Sequence, residues 1–124
     1  MNIERLTTLR DTLVALDPSR FNMKFWARDF ETSNPIYSVS ALEHNCGTAA
    51  CIGGWAEALF DPDRKFHHNG VAHAGELLGL DADVAERLFF PRDDDHAWGA
   101  TSAQAAKVVD HLINTGRVEW SVIA

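Results

Sequence analysis

The sequence predicts a mainly α-helical fold: one compact domain over residues 1–124 with about five helices, and with room for a small two- or three-stranded sheet. Three observations support this prediction. Apolar residues recur every three or four positions in five segments, which is the period of a helix with one buried face. Residues typical of helix starts and stops flank those segments. Finally, 46% of the residues are hydrophobic in a chain of ordinary domain length, which is enough to fill one core.

The first predicted helix lies near the N terminus and ends at Asp17-Pro18, because proline cannot continue a helix. Its apolar stripe consists of Ile3, Leu6, Leu9, Leu13 and Leu16. Beyond it, apolar and polar residues alternate near 21–25, near 36–40 and again near 117–122, which is the period of a strand. We therefore expect these three stretches to form the small sheet.

The second predicted helix begins after Thr48, a residue suited to the N-cap, and ends at Asp61-Pro62-Asp63. Two glycines, Gly53 and Gly54, lie in its interior, where each costs about 1 kcal/mol relative to alanine. A helix face this small allows the backbone of another element to approach closely. We therefore expect a close packing partner at this face.

Two short helices follow and are separated by Gly79. The first runs through Val71 and Leu78, and Gly79 suits its C-terminal turn. Asp81 is suited to cap the second, which ends before Pro91. The pair looks like a helix-turn-helix, but the second helix carries net negative charge, which disfavours contact with DNA phosphates. An ordinary helical hairpin is the interpretation we prefer.

The last predicted helix has the clearest boundaries in the chain. Thr101 and Gln104 have the spacing of a capping box, and Gly116 suits the residue that ends the helix. Between them runs a continuous apolar stripe of Ala105, Val108, Val109, Leu112 and Ile113.

The net charge of −7 argues against broad affinity for nucleic-acid backbones or anionic membranes. No stretch approaches the roughly 18 consecutive apolar residues that span a bilayer, and the N terminus lacks the apolar core of a signal peptide. Two cysteines are too few for a disulfide scaffold. These properties predict a cytoplasmic protein that contacts neither membranes nor nucleic acids directly.

The segment HNCGTAAC, residues 44–51, places two thiols and an imidazole close together. His44, Cys46 and Cys51 are plausible zinc ligands, and His67 or His68 would complete a tetrahedral set. Against this, four intervening residues is the outer edge of the usual spacing between paired ligands, and Cys51 lies on an apolar helix side, where thiols commonly pack as small hydrophobes. A thiol near a helix N terminus is also a candidate for a lowered pKa. We favour packing, with a thiol- or zinc-dependent protein as the alternative.

An acidic region between residues 81 and 98 is the most specific candidate for a binding surface. Six carboxylates oppose Arg87 and Arg92 there, and a solvated face is the ordinary meaning of such a run. A surface of this charge also suits a basic partner, and Trp98 is of the type that anchors interfaces. We call this set the acidic surface: Asp81, Asp83, Glu86, Asp93, Asp94, Asp95 and Trp98.

The core CGTAACIGGWA, residues 46–56, together with RFNMKFWA before it and LLGLDADVAERLF after it, carries a family resemblance. It resembles a group of small bacterial and phage-borne proteins that share a Cys-Gly-Thr-x-Ala-Cys-Ile-x-Gly-Trp-Ala core. The resemblance covers roughly residues 20–120. It implies a shared fold and a mobile-element context, and it transfers no activity, ligand or catalytic residue.

Together these observations predict an acidic, non-enzymatic protein-interaction module without a cofactor. Its partner would be a protein with a basic surface that contacts the acidic surface. In a phage context, a concrete version is an inhibitor that occupies the nucleic-acid-binding surface of a host protein. No residue is predicted to be catalytic, since no carboxylate pair in a catalytic context and no Gly-x-Ser-x-Gly motif occurs in the chain.

Overall fold

The structure, a computed structural model, describes residues 1–44, 47–92 and 95–124. Within these residues the chain forms six α-helices and a three-stranded antiparallel sheet, which confirms the predicted mainly α-helical fold. The helices are α1 Ile3–Ala15, α2 Val39–His44, α3 Ile52–Phe60, α4 Gly70–Leu77, α5 Ala82–Phe89 and α6 Ser102–Thr115. The strands are β1 Ala27–Asp29, β2 Asn34–Pro35 and β3 Thr48–Ala50.

The first and last helices, α1 and α6, pack along each other. Leu6, Leu9 and Leu13 of the predicted stripe are fully buried between them. At the edge of this contact the guanidinium of Arg10 lies 2.7 Å from the carboxylate of Asp110. The three central positions of the predicted stripe are therefore buried, whereas Ile3 at the start of α1 is 44% exposed and Leu16 lies just beyond the helix.

The boundaries of α5 and α6 are those that the sequence predicts. The Asp81 side chain accepts a hydrogen bond from the Val84 N–H at 2.9 Å at the start of α5. Thr101 and Gln104 form the capping box of α6, with both reciprocal hydrogen bonds present. Gly116 ends α6 in the left-handed conformation, with φ of 76°. In each of these caps the bonded residues are three or four positions apart.

The prediction that Thr48 caps the second helix is wrong. Thr48 lies in β3, and α3 begins four residues later at Ile52, with Cys51 at the N-cap position. Two contacts with other elements hold Thr48 in the strand. Its hydroxyl donates to the Leu42 carbonyl at 3.2 Å, and its own carbonyl accepts from the Arg20 Nε at 2.7 Å.

The sheet forms at positions other than those predicted. Its strand order is β2-β1-β3, with Arg28 of β1 opposite Pro35 on one side and Ala49 on the other. Of the predicted stretches, 21–25 contributes only an isolated bridge from Phe21 to Ala50, and 36–40 runs into α2.

The predicted C-terminal strand is absent from the described residues, because 117–122 turns into a short 3₁₀ helix at Trp120–Ile123. Trp120 is buried there, and its Nε1–H donates to the Arg87 carbonyl of α5 at 2.9 Å, whereas Val122 is 41% exposed. None of the described helices has the length and apolar character required to cross a bilayer.

The expected close approach at Gly53 and Gly54 is confirmed. Trp26, just before β1, lies across both glycines: a Cβ on Gly53 would be 2.0 Å from its ring, and a Cβ on Gly54 would be 2.0 Å from its carbonyl oxygen. The same ring covers Gly70 at the start of α4. Trp26 therefore fixes how α3 and α4 lie relative to the sheet.

Candidate metal centre

Two carboxylates and two imidazoles meet where the end of α3 faces the start of α4. Glu57 and Asp61 are four residues apart at the end of α3, so they project from the same side of the helix. His67 lies in the connection between the helices, and His73 lies in α4. We call these four residues the His-carboxylate cluster.

The connection after α3 turns tightly around Asp61. The Asp61 Oδ2 accepts the Lys65 N–H at 3.1 Å, and Arg64 adopts the left-handed conformation with φ of 57°. The turn reverses the chain and returns His67 to the end of α3, where its N–H donates to Glu57 Oε2 at 3.3 Å.

The centre of the cluster is the Oδ1 atom of Asp61. It lies 3.2 Å from His67 Nε2 and 3.0 Å from His73 Nε2. The Oε2 atom of Glu57 lies 3.9 Å from the same His73 nitrogen. One potential ligand atom each from Glu57, His67 and His73 falls within a mutual separation of 4.8 Å.

One oxygen of each carboxylate is held by a donor away from the imidazoles. The other oxygen lies near the imidazoles, and that of Glu57 also accepts the His67 N–H. Trp26 Nε1–H donates to Glu57 Oε1 at 2.6 Å, and the Lys65 N–H holds Asp61 Oδ2. Outer hydrogen bonds of this kind orient metal ligands in proteins. Both carboxylates are buried, while the His67 and His73 side chains are 30% and 26% exposed. The carboxylates therefore form the floor of the cluster, and the imidazoles form its rim.

The surroundings of the two carboxylates shift their pKa values in opposite directions. Burial raises the pKa of Glu57, and the hydrogen bonds from Trp26 and the His67 N–H offset only part of that rise. Burial also acts to raise the pKa of Asp61, but hydrogen bonds from the Lys65 N–H and the two imidazoles outweigh it, so the net shift is downward. Buried anions of this kind call for a compensating positive charge.

The atoms have the spacing of a coordination shell. Zinc binds imidazole nitrogen and carboxylate oxygen at about 2.0–2.2 Å, so neighbouring ligand atoms in a tetrahedral shell are about 3.3–3.5 Å apart. The two distances from Asp61 Oδ1, 3.2 and 3.0 Å, are close to that value. Mixed imidazole and carboxylate donors suit zinc and also iron(II) and related dications.

The residues of the zinc set predicted from the sequence are distributed differently. His67 belongs to the His-carboxylate cluster, but His44 and Cys51 are in no such group among the described residues. His44 is exposed at the end of α2, and Cys46 lies outside the described residues. Cys51 is 2% exposed in the core, and its burial raises its pKa to about 11, so its thiol stays protonated at neutral pH.

The acidic surface is partly engaged within the chain. Asp81 caps α5, and the Glu86 carboxylate lies 3.0 Å from the Arg92 guanidinium. Asp83 and Asp95 are exposed to solvent. Asp93 and Asp94 lie outside the described residues.

The aromatic member of this surface, Trp98, is half-buried. Its ring packs edge-on against Phe90 with centroids 5.2 Å apart, and Phe90 is 47% exposed. The acidic surface therefore has an exposed aromatic neighbour that the sequence analysis did not single out.

Three residues of the His-carboxylate cluster were not predicted: Glu57, Asp61 and His73. The available signal was the i, i+4 pair of carboxylates followed by two histidines six residues apart. Comparison of the chain with family models, curated proteins and solved structures gives no match.

Proposed function

We propose that the chain is a metal-binding domain that holds one divalent transition-metal ion, of the zinc or iron(II) type, in the His-carboxylate cluster. One observation carries the proposal: a single buried oxygen, Asp61 Oδ1, lies 3.0–3.2 Å from the Nε2 atoms of both His73 and His67. Two imidazoles that converge on one carboxylate oxygen present three donor atoms to the same small volume.

The four residues have separate roles in this proposal. Asp61, His67 and His73 supply the three atoms that bind the ion. Glu57 supplies a second negative charge beside them, and its two oxygens accept hydrogen bonds from Trp26 and from the His67 N–H. With neutral imidazoles, the two carboxylates balance the charge of a dication, which offsets the cost of burying them.

Bound metal also connects two helices with the segment between them. It joins the end of α3 to the segment that carries His67 and to α4. Because the unfolded chain does not preform this arrangement, metal binding stabilises the fold by mass action, by about 2.7 kcal/mol at a free metal concentration of 100 Kd.

Metal titration tests the proposal. Calorimetry should show that the chelator-treated protein binds one equivalent of zinc or cobalt(II). The cobalt complex should show the visible absorption bands that are typical of cobalt(II) with few ligands. Asp61→Asn and His73→Asn should each weaken binding more than about 100-fold, since loss of a ligand exceeds the roughly 10- to 100-fold effect of an outer hydrogen bond. Glu57→Gln should fall within that smaller range.

The matched control is His44→Asn combined with Cys46→Ser, which removes two ligands of the set predicted from the sequence. We expect this variant to bind metal like the unaltered protein. If this double variant lost metal binding while Asp61→Asn retained it, the metal site would lie in the HNCGTAAC segment instead. Failure of the unaltered protein to bind either metal would refute the proposal.

We propose interaction with a basic protein partner as a second candidate function, which the metal centre does not exclude. The exposed ring of Phe90, which packs on Trp98 and lines a surface depression together with Asp83, supports it. An aromatic contact with surrounding charge is the composition of many interfaces. An inhibitor from a mobile element and a cytoplasmic location remain predictions from the sequence.

Charge removal tests this second candidate. With Asp93, Asp94 and Asp95 all changed to asparagine, we expect a basic protein that co-purifies with the chain to bind about tenfold more weakly at low salt. Three negative charges are removed, and a solvated ion pair typically contributes a few tenths of a kcal/mol. The control changes three carboxylates in other segments: Glu4→Gln, Asp11→Asn and Asp63→Asn. Equal affinity of both variants for the partner would show that the acidic surface does not contribute specifically to binding.

A further inference from the structure

We propose that the metal centre is open, and that it takes a small apolar or aromatic molecule that reaches the metal through one oxygen donor group. This inference rests on the proposed function, because it requires metal in the His-carboxylate cluster. It adds a ligand class and a binding groove to that centre.

The number and position of the protein ligands leave the metal accessible. Asp61, His67 and His73 provide three donors in this proposal. Glu57 Oε2 lies farther away, 3.9 Å from His73 Nε2 against 3.0 Å for Asp61 Oδ1, and on that distance we assign Glu57 to the residues around the ion. Three protein ligands with a further position open are typical of reactive zinc centres, whereas closed structural sites use four.

The open position faces outward. The carboxylates beneath the imidazoles are at most 1% exposed, whereas the imidazoles are 26–30% exposed. Both imidazoles line a surface depression that they share with His68, Asn69, Ala72 and Glu76. An exogenous ligand therefore reaches the metal from this side.

A second depression adjoins the first, because His67 and His68 line both. It has a volume of about 350 Å³, which lies within the range of small-molecule sites. We call it the aromatic groove, and its apolar wall consists of Trp26, Pro35, Ile36, Tyr37 and Phe66. A molecule with its donor group at the metal has an apolar surface for its body beside His67.

The charged residues around the two depressions restrict the class of ligand that the metal centre can bind. Among the described residues, neither depression is lined by lysine or arginine. The carboxylates of Glu57 and Asp61 already balance a dication, so a phosphate dianion would find no further positive charge there. An apolar or aromatic body with one oxygen donor of at most single negative charge fits both the groove and the centre.

Cobalt(II)-loaded protein provides the test, with three probes: benzohydroxamate, acetohydroxamate and phenyl phosphate. We expect both hydroxamates to change the visible spectrum of the bound cobalt. Benzohydroxamate should bind about tenfold more tightly than acetohydroxamate, a difference of ~1.4 kcal/mol, because its ring enters the aromatic groove. Phenyl phosphate should bind more weakly than benzohydroxamate.

Two substitutions of aromatic residues show whether the aromatic groove causes the preference for benzohydroxamate. Tyr37 is 71% exposed at the groove, and Tyr37→Ala should reduce the preference for benzohydroxamate to less than threefold. The matched control is Phe90→Ala, which removes another exposed ring outside the groove and should leave the preference unchanged.

The outcomes separate this inference from the proposed function. An unchanged cobalt spectrum with every probe would mean a closed centre, and would overturn the inference while leaving the metal-binding proposal standing. Equal affinity for the two hydroxamates, or transfer of cobalt from the protein to the hydroxamate, would also overturn it. Failure of the protein to bind cobalt would refute both this inference and the metal-binding proposal.

Discussion

Gly54→Ala is expected to lower the free energy of unfolding by about 1–2 kcal/mol. The added Cβ would lie 2.0 Å from the Trp26 carbonyl oxygen and 2.8 Å from the Ala50 Cβ. That carbonyl accepts the Cys51 N–H at 3.3 Å and directly precedes β1, so the backbone has little freedom to move away. Overpacking costs typically about 1–3 kcal/mol, which here exceeds the gain of about 1 kcal/mol from replacing a helical glycine.

Urea denaturation measures this effect as a lower midpoint at an unchanged slope. Gly99→Ala is the control, because a Cβ on Gly99 would meet no atom within 4 Å. We expect Gly99→Ala to change stability by less than about 0.5 kcal/mol. Equal stability of Gly54→Ala and the unaltered protein would contradict the close approach of α3 to Trp26.

Trp26→Ala is expected to cost roughly 3 kcal/mol, in the range for loss of a large aromatic side chain. The ring packs edge-on against Phe89 with centroids 5.9 Å apart, covers Gly53 and Gly70, and donates to Glu57. Its loss removes this packing and leaves Glu57 Oε1 without that donor. We also expect metal binding to weaken by about 10- to 100-fold, as for other outer hydrogen bonds.

The interaction between Trp26 and the two glycines can be separated with double variants. A Cβ on Gly53 would meet the Trp26 ring, so Gly53→Ala should lose its penalty when Trp26 is already alanine. A Cβ on Gly54 would meet the main-chain oxygen of residue 26, which alanine retains, so the penalty of Gly54→Ala should persist. Additive costs for the Gly53 pair, measured by the same urea titration, would show that the ring does not occupy this space.

These predictions link the motif in the sequence to the candidate site. The segment CGTAACIGGWA does not itself supply the cluster. Its two glycines admit Trp26, and Trp26 holds Glu57 at the floor of the metal centre. In this structure the motif supports the site, and the cysteine within its described part, Cys51, is a core residue.

The elements that were predicted correctly depend on short-range interactions. The capping box of α6, the Asp81 cap of α5 and the buried stripe of α1 each involve residues three or four positions apart. The same logic failed at Thr48, because its polar groups bond to Arg20 and Leu42, which lie 28 and 6 residues earlier in other elements. It failed again at 117–122, where Trp120 packs on α5 instead of pairing as a strand.

The sequence alone determined the mainly helical class, the ends of the later helices and the need for a partner at Gly53 and Gly54. Only the tertiary structure decided that Trp26 is that partner, and that His67 and His73 converge on Asp61. Helical periodicity places Glu57 and Asp61 on one side of α3. Helical periodicity does not indicate the path of the segment that follows a helix. The turn around Asp61 and the packing of α4 on α3 set the position of both imidazoles.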